Sequence, residues 1–366
     1  MAVHVFLLAE SLRNPPRNKI PRGMAMSWSL TEYQVGALSS SALHLILLPT
    51  EKCNFRCSYC YEDFVAGAMR SDVIQGIRAL IEARIGGLET LSISWFGGEP
   101  LLAYKTIIDI QTFAQEMCRA HGVTLTGSVT SNAYLLSSDR HEELSGLGIN
   151  IFQISLDGDE RVHDTTRILA NGKSTFAKIW FNLEEIHSRS IGDAVCLLRL
   201  HLTNRNFDSL QRLCEKINAC YANDQRFRVL VKLIDDYGGS GSERASDLID
   251  PNGEERSAYL MTLLKPQLKW QQETHPISTV CYAARANSWI IRADGRLGKC
   301  TVALTDERNT IGQLLPNGEL ALDEERWRLW IEPTIKGDLK GMACPWQALP
   351  VEQEAASGRK IPLRVI

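Results

Sequence analysis

The run Pro49-Thr50-Glu51-Lys52-Cys53-Asn54-Phe55-Arg56-Cys57-Ser58-Tyr59-Cys60-Tyr61-Glu62 decides the fold and the chemistry together. It follows an apolar stretch, residues 43–48, that reads as a buried strand. Its three thiols stand in a Cys-x3-Cys-x2-Cys spacing, and the next cysteine is Cys118. Iron–sulfur clusters are held by cysteine thiolates, and a four-iron cubane normally takes four. Three local thiolates leave one iron open to a non-protein ligand, so a substrate or cofactor can bind the metal directly. A structural zinc site needs a fourth ligand in a tetrahedral set, and none lies nearby. A disulfide suits a secreted chain instead.

Composition narrows the setting. The chain has 366 residues, 44 % hydrophobic and 23 % charged, which is enough for one large globular domain and a smaller one. A net charge of −3 gives no electrostatic case for nucleic acid or an anionic membrane, so neither is expected as a partner. The first apolar run, residues 2–9, lacks a basic flank and is too short for a signal-peptide core or a membrane span. Ten cysteines without a small disulfide scaffold fit a reducing cytoplasm.

Outward from the cysteine run, short apolar segments alternate with amphipathic ones. Strands are expected at residues 43–48, 91–95, 124–130, 149–156, 194–202 and 227–234, rich in Ile, Leu and Val as buried parallel strands are. Val73, Ile77, Leu80 and Ile81 form one helical stripe, and Leu210, Leu213, Cys214, Ile217 and Tyr221 form another. Such units with right-handed crossovers imply an α/β fold, a partial (βα)6 barrel over residues 43–234 whose ligand end is the carboxyl end of its strands. Residues 1–42 carry breakers and read as an irregular surface lead-in; residues 235–256, with Gly238-Gly239-Ser240-Gly241-Ser242, read as a linker. Residues 257–366 read as a small α+β domain, a β-hairpin plus helix. Residues 254–270 look helical, and a hairpin follows, 288–292 and 297–304, around Asp294-Gly295.

Three later segments end strands with ligand-binding residue types. Trp95-Phe96-Gly97-Gly98-Glu99-Pro100 ends the second, where Glu99 can accept from an ammonium and the glycines allow close backbone approach. Thr130-Ser131-Asn132-Ala133 ends the third and Ser155-Leu156-Asp157-Gly158 the fourth, with Ser155 and Asp157 on one side by alternation. The same small polar residues also cap ordinary turns. Arg167 follows, and Arg199 interrupts an apolar strand, where a buried guanidinium needs an anionic partner or a structural salt bridge.

The cysteine spacing, with Tyr59 directly before the third thiol, resembles the radical S-adenosylmethionine (SAM) superfamily, and the later segments agree with it in order. The resemblance implies a [4Fe–4S] cluster on Cys53, Cys57 and Cys60 whose open iron chelates SAM. It implies reductive cleavage of SAM to a 5′-deoxyadenosyl radical that abstracts hydrogen from a substrate carbon. It places Tyr59, Gly97, Gly98, Glu99, Ser131, Asn132, Ser155, Asp157, Arg167 and Arg199 around SAM, with Glu99 on its amino group. One departure is Ala133, standing where the family's Thr-Asn-Gly turn has glycine.

Cys118, Cys196, Cys214 and Cys220 lie on apolar faces and read as small buried hydrophobes. Cys281 and Cys300 bracket the hairpin, and Cys344 precedes Pro345-Trp346-Gln347-Ala348-Leu349-Pro350. This resembles the SPASM and shorter twitch extensions, which hold auxiliary [4Fe–4S] clusters. The family's tail usually runs Cys-x2-Cys with further cysteines; here Gln347 and residues 351–355 supply none. One auxiliary cluster on Cys281, Cys300 and Cys344 is therefore expected, its fourth site open or filled by Gln347, His275 or substrate. A relic domain without its cluster is the alternative.

Enzymes with such extensions mostly modify peptides, so a ribosomally made peptide is the expected substrate, crosslinked, epimerised or oxidised, with a flavodoxin or ferredoxin as reductant. A sulfatase-maturase-like oxidation is an alternative, although Thr301 stands where that family has Asp. A twitch-type dehydrogenase or cyclase acting on a small molecule is another, and a non-catalytic SAM-binding regulator a third. No peptide-recognition domain is expected within the first 42 residues.

Overall fold

Six apolar runs become six parallel strands. The computed structural model describes residues 30–62, 64, 66–189, 192–236, 242–270 and 280–350. After helix α1 (Leu30–Leu38) the chain forms β1 (Ala42–Leu47), the short β2 (Phe55–Cys57), α2 (Ser71–Arg84), β3 (Thr90–Trp95), α3 (Tyr104–His121), β4 (Thr124–Ser131), α4 (Ser138–Gly146) and β5 (Ile149–Leu156). It continues through α5 (Glu160–Thr166), β6 (Arg167–Leu169), α6 (Phe176–Arg189), β7 (Val195–Leu202), α7 (Phe207–Tyr221) and β8 (Phe227–Leu233). Strands β1, β3, β4, β5, β7 and β8 pair in parallel in that order, with helices covering the crossovers. Both faces are covered, so the strands are largely buried: five of the six residues of β1 and seven of the eight of β5. Both predicted helical stripes are buried faces, on α2 and α7.

The C-terminal strands extend this same sheet. After α8 (Ser242–Ser246) and α9 (Gly253–Leu263), β9 (Ser288–Ile291) pairs in parallel with β1, and β10 (Arg296–Gly298), β11 (Gly312–Leu314) and β12 (Leu320–Leu322) follow antiparallel. The hairpin turns at Asp294-Gly295, where Gly295 takes φ +84° and the Asp294 carboxylate accepts from the Arg296 backbone N–H. Its second arm is much shorter than residues 297–304. At Lys299 the side chain of Asn309 replaces the strand ladder, accepting from the N–H groups of Lys299 and Cys300 and donating to the carbonyls of Cys300 and Ala303. Helix α10 (Glu324–Lys336) then packs behind, with Trp330 fully buried and its indole N–H on the Arg308 carbonyl.

Two expectations need correcting. The segment read as an irregular lead-in ends in α1, which docks by Ala37 against Val280, Ala284 and Met342, and by Gln34 on the Thr334 carbonyl. Its stability comes from these distant contacts, which local periodicity does not carry. The helix expected over residues 254–270 stops at Leu263, and a single 3-10 turn, Pro266–Leu268, replaces its end because Pro266 cannot continue the ladder. Residues 237–241 of the expected linker lie outside the described residues.

Two core histidines set an acid limit. His44 bonds Ser94 and Ser288, and His141 packs on Phe152. Burial, then nearby cations, push them from the ordinary 6.5 down to about 3 and about 4. The folded values lie below the unfolded one, so the unfolded chain takes up protons first as pH falls. Their stabilising contribution is whole above about pH 6.5 and is lost on the way to about 4 for His141 and about 3 for His44, on the order of 3 kcal/mol or more for each. The melting temperature is expected to drop across that window, and His141→Phe to flatten the drop; an equal slope in wild type and variant contradicts the assignment.

Candidate functional site

At the carboxyl ends of the strands lies a cavity of about 170 Å³, lined by Cys53, Cys57 and Cys60, by residues of β7 and β8 and by Thr301. The cysteine loop leaves β1 and is pinned at both ends. Its β2 pairs antiparallel with β6, which sets Cys57 opposite Arg167. Gly97 and Gly98 sit directly beneath it. A Cβ on Gly97 would collide with the Thr50 carbonyl, and one on Gly98 with the carbonyls of Glu51 and Lys52. Gly97 also takes φ +112°, open to glycine. The two glycines are thus required by the approach of the cysteine loop as well as by any ligand, and Glu99 N–H ties the two segments at the Lys52 carbonyl, 3.0 Å.

The three thiols are held above their ordinary range. Burial is the main cause at each, pushing Cys60 up to about 12 and raising Cys53 and Cys57; at Cys53 and Cys60 a nearby glutamate and then the neighbouring thiols add to it, whereas at Cys57 the Arg167 guanidinium opposes it. Sulfurs whose thiolates repel one another in a shared wall match a donor set made for a cationic metal core. Among the described residues no three His, Cys, Asp or Glu side chains converge on a single metal ion, so a one-ion zinc centre has no ligand set there.

Behind the loop runs a buried polar network. Tyr59 donates to Asp157 at 2.8 Å, and Arg167 donates to the Tyr59 oxygen at 2.8 Å. His201 Nδ1 lies 2.9 Å from that oxygen and 3.2 Å from Asp157, and Thr166 donates to the other Asp157 oxygen at 2.6 Å. Burial opposes the Asp157 charge, but the bond to His201 and the Arg167 guanidinium hold its carboxyl well below the usual carboxylate range. Burial likewise opposes Arg167, while Cys57, Tyr59 and Asp157 keep it charged.

The structure sorts the sequence-predicted residues. Tyr59, Gly97, Gly98, Ser131, Asn132, Ser155, Arg167 and Arg199 line the one cavity. Asp157 and Glu99 are fully buried behind it. The Glu99 carboxylate, expected to receive a ligand ammonium, accepts within the protein from Leu101 N–H at 3.0 Å, Ser131 Oγ at 2.8 Å and Asn132 N–H at 2.7 Å. It thereby fixes the Ser131-Asn132 turn, and Asn132 in turn donates to Asn54 of the cysteine loop at 2.8 Å. Ala133 closes this turn with φ +59°, the left-handed conformation that a glycine takes without strain. Ala133→Gly is therefore expected to raise the unfolding free energy by roughly 0.5–1 kcal/mol, read by denaturant titration; a loss of stability contradicts this.

Sequence reasoning missed His201, Lys232 and Tyr282 on the cavity wall. His201 lies two residues beyond Arg199, on the same strand face, and that alternation was the available signal. Tyr282 is buried and its hydroxyl bonds Thr301 Oγ1 at 2.9 Å and accepts from Thr301 N–H at 2.8 Å.

Cys281, Cys300 and Cys344 are all buried. The Cys281 N–H donates to Met342 O at 2.9 Å, which draws the Cys344 segment onto the hairpin. Burial first, then charge on the other two thiols, raises Cys281, and burial pushes Cys300 up to about 12. Gln347 is exposed, and His275 lies outside the described residues.

A strand-end cavity thus carries three thiols on its wall and two glycines locked under their loop. The Radical SAM superfamily model matches residues 47–217, so the chain carries a domain of that superfamily, whose cofactors are a [4Fe–4S] cluster and SAM. The serine-type anaerobic sulfatase-maturating enzyme of Klebsiella aerogenes is 28 % identical over 153 residues, 40 % of this chain and 38 % of that protein. A GTP 3′,8-cyclase of Clostridium perfringens (strain SM101 / Type A) is 27 % identical over 192 residues, 50 % of this chain and 54 % of that one. The matched region thus spans about two fifths to one half of those relatives. Among solved structures, anSMEcpe with bound AdoMet and the Cp18Cys peptide superposes with a TM-score of 0.57 at 16 % identity, covering 81 % of this chain and 82 % of that one. Streptococcus suis SuiB bound to precursor peptide SuiA gives 0.54 at 14 %, covering 85 % and 69 %. These likenesses establish a shared partial-barrel fold. Among the described residues no helix is long and apolar enough to cross a membrane.

Proposed function

We propose that this chain reductively cleaves SAM and removes a hydrogen atom from a carbon of a ribosomally made peptide, with a flavodoxin or ferredoxin as electron donor. The observation that carries the reading is the meeting of Cys53, Cys57 and Cys60 with Gly97, Ser131, Asn132 and Ser155 in a single cavity. When bound, the cluster and SAM supply one-electron cleavage of the sulfonium bond and hydrogen-atom abstraction. The chain's own work is positioning. Cys53, Cys57 and Cys60 hold three irons, and the Gly97-Gly98 turn fixes their loop. Asp157, His201 and Arg167 fix the Tyr59 ring in the wall, and Arg167 keeps positive charge beside Cys57. Ser131, Asn132 and Ser155 are placed to meet hydroxyls of SAM, and Arg199 its carboxylate.

A peptide is favoured by the solved neighbours that hold peptides, anSMEcpe and SuiB. Thr301 argues against a sulfatase-maturase type of base, because it is buried, carries no carboxylate and is bonded to Tyr282. The likeness to GTP 3′,8-cyclases keeps one second reading, a small-molecule cyclisation. An auxiliary [4Fe–4S] cluster on Cys281, Cys300 and Cys344 belongs to this proposal, as does an auxiliary-cluster role for the C-terminal segment 257–366, whose strands continue the barrel's sheet. The test is to incubate the reduced enzyme with SAM and deuterated candidate peptides. Deuterium is expected in 5′-deoxyadenosine together with a change in peptide mass; transfer from a nucleotide or sugar alone overturns the peptide reading.

A further inference from the structure

The β7–β8 wall of the cavity carries two cations. Arg199 on β7 and Lys232 on β8 line it together with His201, which burial keeps neutral down to about pH 4. Strand β8 buries Phe227, Val229 and Val231 on one face and turns Arg228, Leu230 and Lys232 to the other. Register sets their levels. Arg199 stands beside Ser155 and Leu230, whereas Lys232 stands beside His201, two residues nearer the strand end. Lys232 is therefore further from the Ser131–Ser155 side and nearer the mouth.

Among the described residues the Lys232 ammonium takes no hydrogen-bond partner; Asp235 attracts it from the strand end and Arg199 repels it. Burial, then that repulsion, lowers it to about 8. Asp157, buried behind this wall, is already taken by Tyr59, Thr166 and His201. A half-buried ammonium next to a guanidinium is stabilised when an anion arrives.

We propose that Lys232 anchors a carboxylate of the substrate at the β8 side of the cavity. SAM brings one carboxylate, and Arg199, level with Ser155, is placed for it, so the outer cation is left for the second reactant. A single ammonium is a point charge suited to one carboxylate; a polyphosphate calls for several cations or a guanidinium fork. On the peptide reading, on which this assignment rests, the group is an Asp or Glu side chain or the chain's C-terminal carboxylate.

The experiment uses the full, anaerobically reconstituted chain loaded with SAM. Calorimetry compares the capped tripeptide acetyl-Gly-Glu-Gly-amide, its Gln twin, acetyl-Gly-Gly-Gly with a free C terminus, and glutarate, on wild type, Lys232→Gln and Lys232→Arg. Wild type is expected to bind at least one carboxylate tripeptide about tenfold more tightly than the Gln twin. Lys232→Gln erases the difference and Lys232→Arg keeps most of it; the two charged tripeptides separate a side-chain source from a C-terminal one. Binding of glutarate through Lys232 without binding of any tripeptide keeps the anion site and removes the peptide reading. Equal affinities in wild type and Lys232→Gln, or no binding of any carboxylate probe, overturn the assignment. Should Lys232→Gln fail to fold by circular dichroism, the rate of acylation of Lys232 in wild type, followed by mass spectrometry, decides the matter: the tightest carboxylate probe slows it about fivefold or more, and an unchanged rate overturns it.

Discussion

Replacing Cys53, Cys57 and Cys60 together with alanine abolishes formation of 5′-deoxyadenosine from SAM. The three thiols share one cavity wall, and their loop is locked by the β2–β6 pairing and by the Gly97-Gly98 seat. Alanine at these positions removes the sulfurs and leaves the seat, so the fold is retained while the iron is lost. The loss is expected to be complete, because no other described cysteine lines this cavity and none can replace a ligand. Activity is read by chromatography of 5′-deoxyadenosine after chemical reduction, with circular dichroism as the control for folding. Persistent cleavage in the folded triple variant contradicts the ligand assignment.

The second large effect lies at the other cysteines. Cys281, Cys300 and Cys344 are buried and close enough for charge on one to raise another, and the Cys281–Met342 backbone bond brings the last of them to the hairpin. Reconstituted wild type is expected to hold about eight irons per chain, two cubanes, and the variant with these three cysteines changed to alanine about four. About four irons in fully reconstituted wild type means that this part of the chain keeps its fold without a cluster. The variant also separates the two centres, since SAM binding at the first cavity survives in it.

Much of the barrel was legible because parallel strands covered on both faces leave short stretches rich in Ile, Leu and Val, as in β1, β5 and β7, although β4 is mostly Thr, Ser and Gly. Residues 149–156 coincide with β5, and the other five runs agree with their strands to within one residue at either end. What escaped depends on distant partners. The α1 helix forms on Val280 and Met342, the second hairpin arm is cut short by Asn309, and the three-residue ladder joining β2 to β6 is too brief to give a pattern.

At the site, the cysteines and the strand-end segments were readable from residue type and spacing. The directions of their side chains were not. Glu99 has the chemistry to receive an ammonium, but three donors, two of them 32 and 33 residues further along the chain, capture its carboxylate. Asp157 alternates with Ser155 as expected, but the hydroxyl of Tyr59, 98 residues away, holds it behind the wall. Alternation with Arg199 was a local signal for His201, but Lys232 has none; only the register of β7 with β8 places the two together.

The central claim is that SAM binds an iron held by Cys53, Cys57 and Cys60. Its most direct measurement is electron–nuclear double resonance on the reduced protein with SAM labelled with 15N at its amino group and 17O at its carboxylate. The account predicts that adding SAM changes the electron paramagnetic resonance signal and that both labels couple to it, in wild type and in the Cys281/Cys300/Cys344 variant alike. An unchanged signal with neither label coupled, in protein shown to carry the cluster, contradicts it.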